Sequence, residues 1–295
     1  MPTGVLVTHQ DCLDGATAAL IGRAVGLEVR FVEPDRVAPA VAAAPAGVPL
    51  FLADVSLSPA DWAAWQQRVS WLLDHHQTAL TLAGRPRVTI DLARSGARLM
   101  YDFACAQGWL RPSPAWERLV NAVQRYDLWQ PRHEAGQNLN RMFRRHGLDW
   151  YLERFQSGWT PWTADEGDEL AAIVRGEGAF IVQALGRRRH RRAAGYGLVG
   201  LYLPEEGPIN EVAHRLLAQG EDLVIFIKSD GRLSARSSTR LDAARLMETL
   251  FSGGGHARAA GGRLTSDLTP GDAATDAVLD AVAAYLVKVG AGPTA

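Results

Sequence analysis

Residues 70–76 read SWLLDHH, an apolar strand that runs out into Asp74, His75 and His76. Two earlier stretches repeat the arrangement. GVLVTH at 4–9 is followed by HQDCLDG, which carries His9, Asp11 and Asp14, and PLFLADV at 49–55 ends near Asp54. The segments between them supply the rest of a fold. An alanine-rich run at 13–25 reads as a helix, and LEVRFVEP at 27–34 alternates like a strand. Ser58-Pro59 opens another helix, with proline one place inside a serine cap. RVTIDL at 87–92 reads as a fifth strand, and helices are predicted at 95–107 and 114–126. Alternating strands and helices imply an α/β fold: a mostly parallel sheet with helices on both faces. The Ala/Pro-biased stretch at 38–49 reads as a loose surface turn.

The pattern changes at residue 164. Residues 164–192 read as one long polar helix ending in RRRHRR, a linker between a domain at 1–163 and a smaller α/β domain at 193–295. The basic run reads as the solvated end of that linker rather than a nucleic-acid contact. Beyond it come a strand (GYGLVGLYLP), a helix (INEVAHRLLAQ), and a strand pair (DLVIFIKS, GRLSARSS) turned at Asp230-Gly231. A helix (LDAARLMETL), a glycine-rich loop (GGGHARAAGG) and a C-terminal helix at 273–289 complete it.

Composition narrows the function. The chain has 295 residues, 47% hydrophobic and 21% charged, with a formal net charge of −1. That length suggests two domains, and the charge argues against retention on DNA by a broad positive field. All but two of the 31 cations are arginine. Two cysteines cannot build a disulfide framework or a Cys-rich zinc site. No apolar run is long enough for a membrane span, and the N-terminus lacks the pattern of a signal peptide. The expectation is a soluble cytoplasmic protein with no obligate protein partner.

In a parallel α/β sheet, ligands bind outside the carboxyl ends of the strands. Three strands therefore bring His9, Asp11, Asp14, Asp54, Asp74, His75 and His76 to one edge, and Asp127 in QRYDLW ends a predicted helix. Several carboxylates packed together raise one another's pKa unless cations sit among them. Carboxylate and imidazole ligands without thiolate favour Mn²⁺ or Mg²⁺ over structural zinc. The number of ligands suits two ions, which clamp the attacking and leaving oxygens of a phosphoryl displacement.

HQDCLDGATAA, LADVS, LLDHHQTA and QRYDLW resemble the four ordered motifs of the DHH phosphoesterase superfamily. SARSS and SGGGHARAAGG resemble its DHHA1 substrate-binding domain. The short first motif and YDLW are most similar to the oligoribonuclease (nanoRNase) and cyclic-nucleotide phosphodiesterase branch. The resemblance implies His9, Asp14, Asp54, His75 and Asp127 as ligands of two Mn²⁺ or other divalent ions, with Asp54 bridging. It implies that His76 faces the phosphate and that Asp74 orients an imidazole. Members often have a D-x-D spacing before the motif glycine. Here Cys12 stands two places before Asp14, and Asp11 is the extra acid, so Asp11 either substitutes through a local bulge or leaves the first ion one ligand short. In the second domain Gly253, Gly254, Gly255 and His256 would hold the nucleotide with Arg236, and Ser234 and Ser237 are weaker candidates. Tyr126 and Trp129 flank Asp127 and are candidates to line the cleft.

The implied activity is Mn²⁺-dependent hydrolysis of short oligoribonucleotides to nucleoside monophosphates. The alternatives are a phosphohydrolase of cyclic nucleotides, cyclic dinucleotides or 3′-phosphoadenosine 5′-phosphate, and a catalytically weak nucleotide sensor.

Overall fold

A computed structural model describes residues 3–128, 130 and 133–290. The chain divides into two compact units, Met1–Leu170 and Ala171–Ala295. The division falls inside the long helix at the start of the predicted linker.

The first unit runs β1 (Val5–His9), α1 (Leu13–Ala24), β2 (Glu28–Val32), α2 (Val37–Ala43), β3 (Leu50–Ala53), α3 (Pro59–Trp65), β4 (Val69–Asp74), β5 (Val88–Ile90), α4 (Gly96–Ala106), α5 (Pro114–Asp127) and α6 (Glu134–Arg154). Its five strands are all parallel, in the order β2-β1-β3-β4-β5. Successive side chains alternate between two cores. Leu6, Phe51 and Leu73 pack with α1, α4, α5 and α6, whereas Val5, Val7, Leu50 and Leu52 pack with α2 and α3. Both faces are covered, which is why these strands read as continuous apolar runs. A register irregularity opposite Leu50/Phe51 lets Val69 and Leu72, three places apart, share a face.

One sequence expectation fails here. The 38–49 stretch is no loose turn, because α2 occupies its first half and buries Val37 and Val41. Helix α6 was not anticipated. It is polar, and Gly147 breaks it at φ 84°, which obscures its period. Trp129 lies outside the described residues.

The second unit begins in α7 (Ala164–Gly186) and continues with β6 (Arg189–Ala193), β7 (Tyr196–Leu203), α8 (Ile209–Ala218), β8 (Leu223–Lys228), β9 (Arg232–Ser237), α9 (Ala243–Phe251), β10 (Gly254–His256), β11 (Ala259–Arg263) and α10 (Asp272–Lys288). Its mixed sheet has the order β10-β11-β9-β8-β7-β6, and only β7 and β8 are parallel. The β8–β9 turn is a three-residue loop with Gly231 at φ 80°, a turn in which glycine relieves the left-handed position.

The basic run does not end a helix. Arg189–Ala193 is an edge strand antiparallel to β7. Its charges are answered locally: Arg191 pairs with Asp280 and Asp276, Arg189 with Asp272, and His190 with Glu221. Pairing with β7 and with the acidic face of α10 overrides the poor strand propensity of arginine. The glycine-rich loop is likewise a strand pair, β10–β11, closed between His256 and Ala259.

Candidate functional site

The strand order of the first unit reverses between β1 and β3, and an open α/β sheet forms its crevice at such a point. His9 closes β1, Asp54 follows β3, and Asp74 closes β4 with His75 and His76 just beyond it.

Local structure aims each group. Gly15 lies against the carbonyl of His9, where a Cβ would meet that oxygen at 2.3 Å, so α1 can start directly beneath the end of β1. This buries Asp14 in the first turn of α1. The Asp14 carboxylate accepts hydrogen bonds from Gly96 N (2.6 Å) and Ala97 N (3.1 Å) at the start of α4, where the helix dipole favours an anion. Asp54 is buried at φ 59°, a left-handed conformation that Asp tolerates better than most residues. Its Oδ1 lies 3.1 Å from His75 Nε2, its Oδ2 accepts from Cys12 Sγ at 3.1 Å, and His9 Nδ1 is 3.9 Å from Oδ2. His75 is buried, with Nε2 3.7 Å from Asp14 and Nδ1 3.5 Å from Asp127. Asp74 accepts from the His75 and His76 backbone N–H groups and lies 2.8 Å from His76 Nδ1.

The two imidazoles are not on opposite sides of a strand, because β4 ends at Asp74. Their rings lie 4.5 Å apart. They differ in partner and burial instead. His75 engages three carboxylates, whereas His76 is held by Asp74 and is about one-third exposed.

The charges respond to this packing. Burial, then Asp54 and Asp127, push Asp14 well above the usual carboxylate range. Burial raises Asp127 to about 6. Burial also works against Asp54, but the His75 hydrogen bond and the neighbouring imidazoles hold it at about 2. Burial opposes charge on His75 as well, yet Asp54, Asp127 and Asp14 lift it to about 10. His76 rises to about 9 against its burial, through its hydrogen bond to Asp74. The carboxylates are thus balanced by imidazolium charge that a divalent cation would replace.

The residues fit such a cation. One ligand atom from each of Asp14, His75 and Asp127 lies within 4.8 Å of the others, and the same holds for His9, Cys12 and Asp54. Asp127 Oδ2 is buried with no hydrogen-bond partner among the described residues, a costly state that a coordinated ion relieves. Asp11 is exposed, at φ 55°, and joins neither group. Two members escaped the sequence reading: Cys12, and Glu33 after β2, whose carboxylate is 3.7 Å from His9 Nε2. Glu33 carried no motif signal, and only the parallel pairing of β2 with β1 brings it near His9.

In the second unit, His256, Ala259 and Arg236 are in register across β10, β11 and β9. Residues in register share a face of the sheet, so a small alanine separates the histidine and the arginine. Arg236 Nε donates to Asn210 Oδ1 of α8 at 3.0 Å, a partner the sequence reading missed. Ser237 is buried and donates to the Leu241 and Ala257 carbonyls, a structural tie, and Ser234 sits two places earlier than Arg236 on β9. The three glycines are not equivalent. A Cβ on Gly253 would meet Gly261 O at 1.9 Å, and one on Gly255 (φ 137°) would meet Ala259 O at 2.8 Å, whereas Gly254 faces open space.

Residues 198–288 match the family model of the DHHA1 domain. No curated protein matches the chain by sequence. Solved structures share its fold. Manganese-bound RecJ from Thermus thermophilus is 18% identical with a TM-score of 0.61, and the match covers 97% of this chain and 52% of that one. The pGpG-specific phosphodiesterase PggH from Vibrio cholerae is 17% identical with a TM-score of 0.57, over 97% and 99%. An exopolyphosphatase-related protein from Bacteroides fragilis is 13% identical with a TM-score of 0.55, over 98% and 93%. Among the described residues no helix is long and apolar enough to cross a membrane.

Proposed function

Taking the chain as a member of the DHH/DHHA1 phosphoesterase superfamily, we propose that it is a divalent-metal-dependent phosphodiesterase that hydrolyses short oligoribonucleotides to nucleoside monophosphates. The observation that carries this reading is the placement of Asp54. Its two carboxylate oxygens face the two ligand-bearing sides of one crevice, Oδ1 toward His75 and Oδ2 toward Cys12 and His9.

Asp14, His75 and Asp127 would hold one ion, and His9 with Asp54 would hold the other, with Asp54 serving both. Bound there, Mn²⁺ would polarise the phosphate and make water a competent nucleophile near neutral pH. The protein supplies the rest. Asp14 is fixed by the start of α4, so the cluster is positioned before any ligand arrives. Asp74 orients His76 and favours its cationic form, which suits it to grip an anionic oxygen of the scissile phosphate. Asp11, exposed and outside both groups, holds neither ion. In the second unit Arg236, steadied by Asn210, and His256 present donors on one sheet face, and Gly254 leaves room for a phosphate or ribose against the backbone.

Near-zero net charge provides little long-range hold on a polyanion, which favours substrates of roughly 2–5 nucleotides whose contacts lie within a few phosphates of the metals. The likeness to PggH over almost the whole of both chains supports the dinucleotide end of that range. The test is a rate comparison, with Mn²⁺, across pGpG, RNAs of graded length, cyclic nucleotides and 3′-phosphoadenosine 5′-phosphate. Preference for linear di- to pentanucleotides supports the reading. Preference for a cyclic nucleotide or 3′-phosphoadenosine 5′-phosphate replaces its substrate, and no turnover of any of them contradicts it.

A further inference from the structure

The geometry points to Cys12 as a metal ligand that makes the His9–Asp54 side of the centre selective for a softer ion than Mn²⁺. This rests on the metal-centre reading above and adds to it the identity of one ligand and the ion it selects.

The sequence reading supposed a ligand set free of sulfur. The fold places sulfur inside it. Cys12 caps α1, and its Sγ accepts the Gly15 N–H at 3.0 Å while donating to Asp54 Oδ2 at 3.1 Å. His9 Nδ1 is 3.9 Å from the same oxygen, so sulfur, oxygen and nitrogen form one triangle. A tetrahedral ion with bonds of about 2.0–2.3 Å spaces its ligand atoms roughly 3.5 Å apart, close to both measured separations. The other acid in the loop offers no rival, because Asp11 is exposed and outside the triangle.

Two further features bear on this role. The Gly15 N–H at the start of α1 is aimed at the sulfur, whereas burial and the Asp54 and Asp14 carboxylates hold the thiol well above its ordinary range, so its proton leaves only as a cation takes its place. Glu33 lies 3.7 Å from His9 Nε2, on the ring nitrogen opposite the triangle, where a carboxylate directs Nδ1 toward a metal. A site of thiolate, imidazole and carboxylate suits Zn²⁺, Co²⁺ or Fe²⁺, whereas Asp14, His75 and Asp127 form a harder, sulfur-free site. The two sides therefore differ in ion preference.

The test uses the full chain, stripped of metal and titrated with Co²⁺, in the wild type and in Cys12→Ser, Cys12→Asp and Cys105→Ser. Bound ion is counted by equilibrium dialysis, and sulfur ligation is read from thiolate-to-cobalt charge-transfer absorption in the near ultraviolet. The wild type and Cys105→Ser should both show the band, and Cys12→Ser should lose it. Cys12→Asp should keep its bound Co²⁺, lose the band, and move the Mn²⁺-against-Zn²⁺ competition toward Mn²⁺ by roughly tenfold or more. Bound Co²⁺ without the band, or a band that survives Cys12→Ser, overturns the assignment while leaving the metal centre standing. A wild type that binds no divalent ion overturns both.

Discussion

Gly96 offers a sharp test of how the fold builds the metal centre. It is the first residue of α4, its N–H reaches the Asp14 carboxylate at 2.6 Å, and its Cα lies against Asp54. A Cβ there would stand 2.5 Å from Asp54 Cβ, 2.7 Å from its Cα and 2.9 Å from its N. These atoms are backbone or fixed to it, so no flexible side chain can swing aside. Ordinary contact begins at 3.4 Å, which requires α4 and the end of β3 to separate by about 0.9 Å. Gly96→Ala should therefore destabilise the protein by about 1–3 kcal/mol, a fall of roughly 3–10 °C in melting temperature. The same displacement pulls the donors from Asp14 and moves Asp54. Metal affinity should fall about 10- to 100-fold and turnover by about 100-fold. Thermal unfolding, metal dialysis and steady-state rates measure the three effects. Gly176→Ala in the middle of α7, where a Cβ meets nothing within 4 Å, should instead gain about 0.5–1 kcal/mol. A Gly96→Ala protein with unchanged melting temperature and metal affinity would refute the reasoning.

Three further outcomes follow from the same geometry. His75→Ala should lose bound metal, whereas His76→Ala should keep it and lose turnover; equal metal loss by dialysis would contradict the division of labour drawn from their partners. In the second unit, Gly253→Ala should destabilise the β10–β11 hairpin, whereas Gly254→Ala should leave the melting temperature alone and raise KM; the opposite order would contradict the glycine geometry. Glu166 is held at about 2, below its ordinary 4.5, by its hydrogen bond to Arg154. A lowered carboxylate pKa contributes stability above 4.5 that is lost as pH falls through 2. Urea unfolding should show Glu166→Gln about 1–3 kcal/mol less stable at neutral pH, with the gap closing through that window.

The ligand-bearing edge was legible because the apolar runs of β1, β3 and β4 stop where their polar residues begin, and parallel pairing then brings those ends together. Helix starts were legible where serine precedes the first turn, as at Ser58, Ser95 and Ser113. What escaped depends on partners far along the chain. The arginines of β6 form a strand because Asp272, Asp276 and Asp280 line the facing side of α10. The glycines of β10 and β11 form strands because bare backbone permits their close approach. Glu33 and Asn210 gave no local signal, since the contacts that matter here cross the fold. The start of α7 was legible at residue 164, and the structure shows its local cause. Thr163 and Glu166 form a reciprocal capping pair, each side chain accepting from the other's backbone N–H, in a T-x-x-E pattern.

The most direct test of the central claim is the rate of mononucleotide release from RNAs of about 2 to 24 nucleotides, measured with Mn²⁺ and again in excess chelator. The account predicts that release is fastest for roughly 2–5 nucleotides, vanishes with chelator, and is absent in Asp54→Ala. Undiminished release in chelator or in Asp54→Ala would contradict a metal centre built around Asp54. A rate per end that keeps rising to the longest RNA would contradict a site whose contacts lie within a few phosphates of the metals.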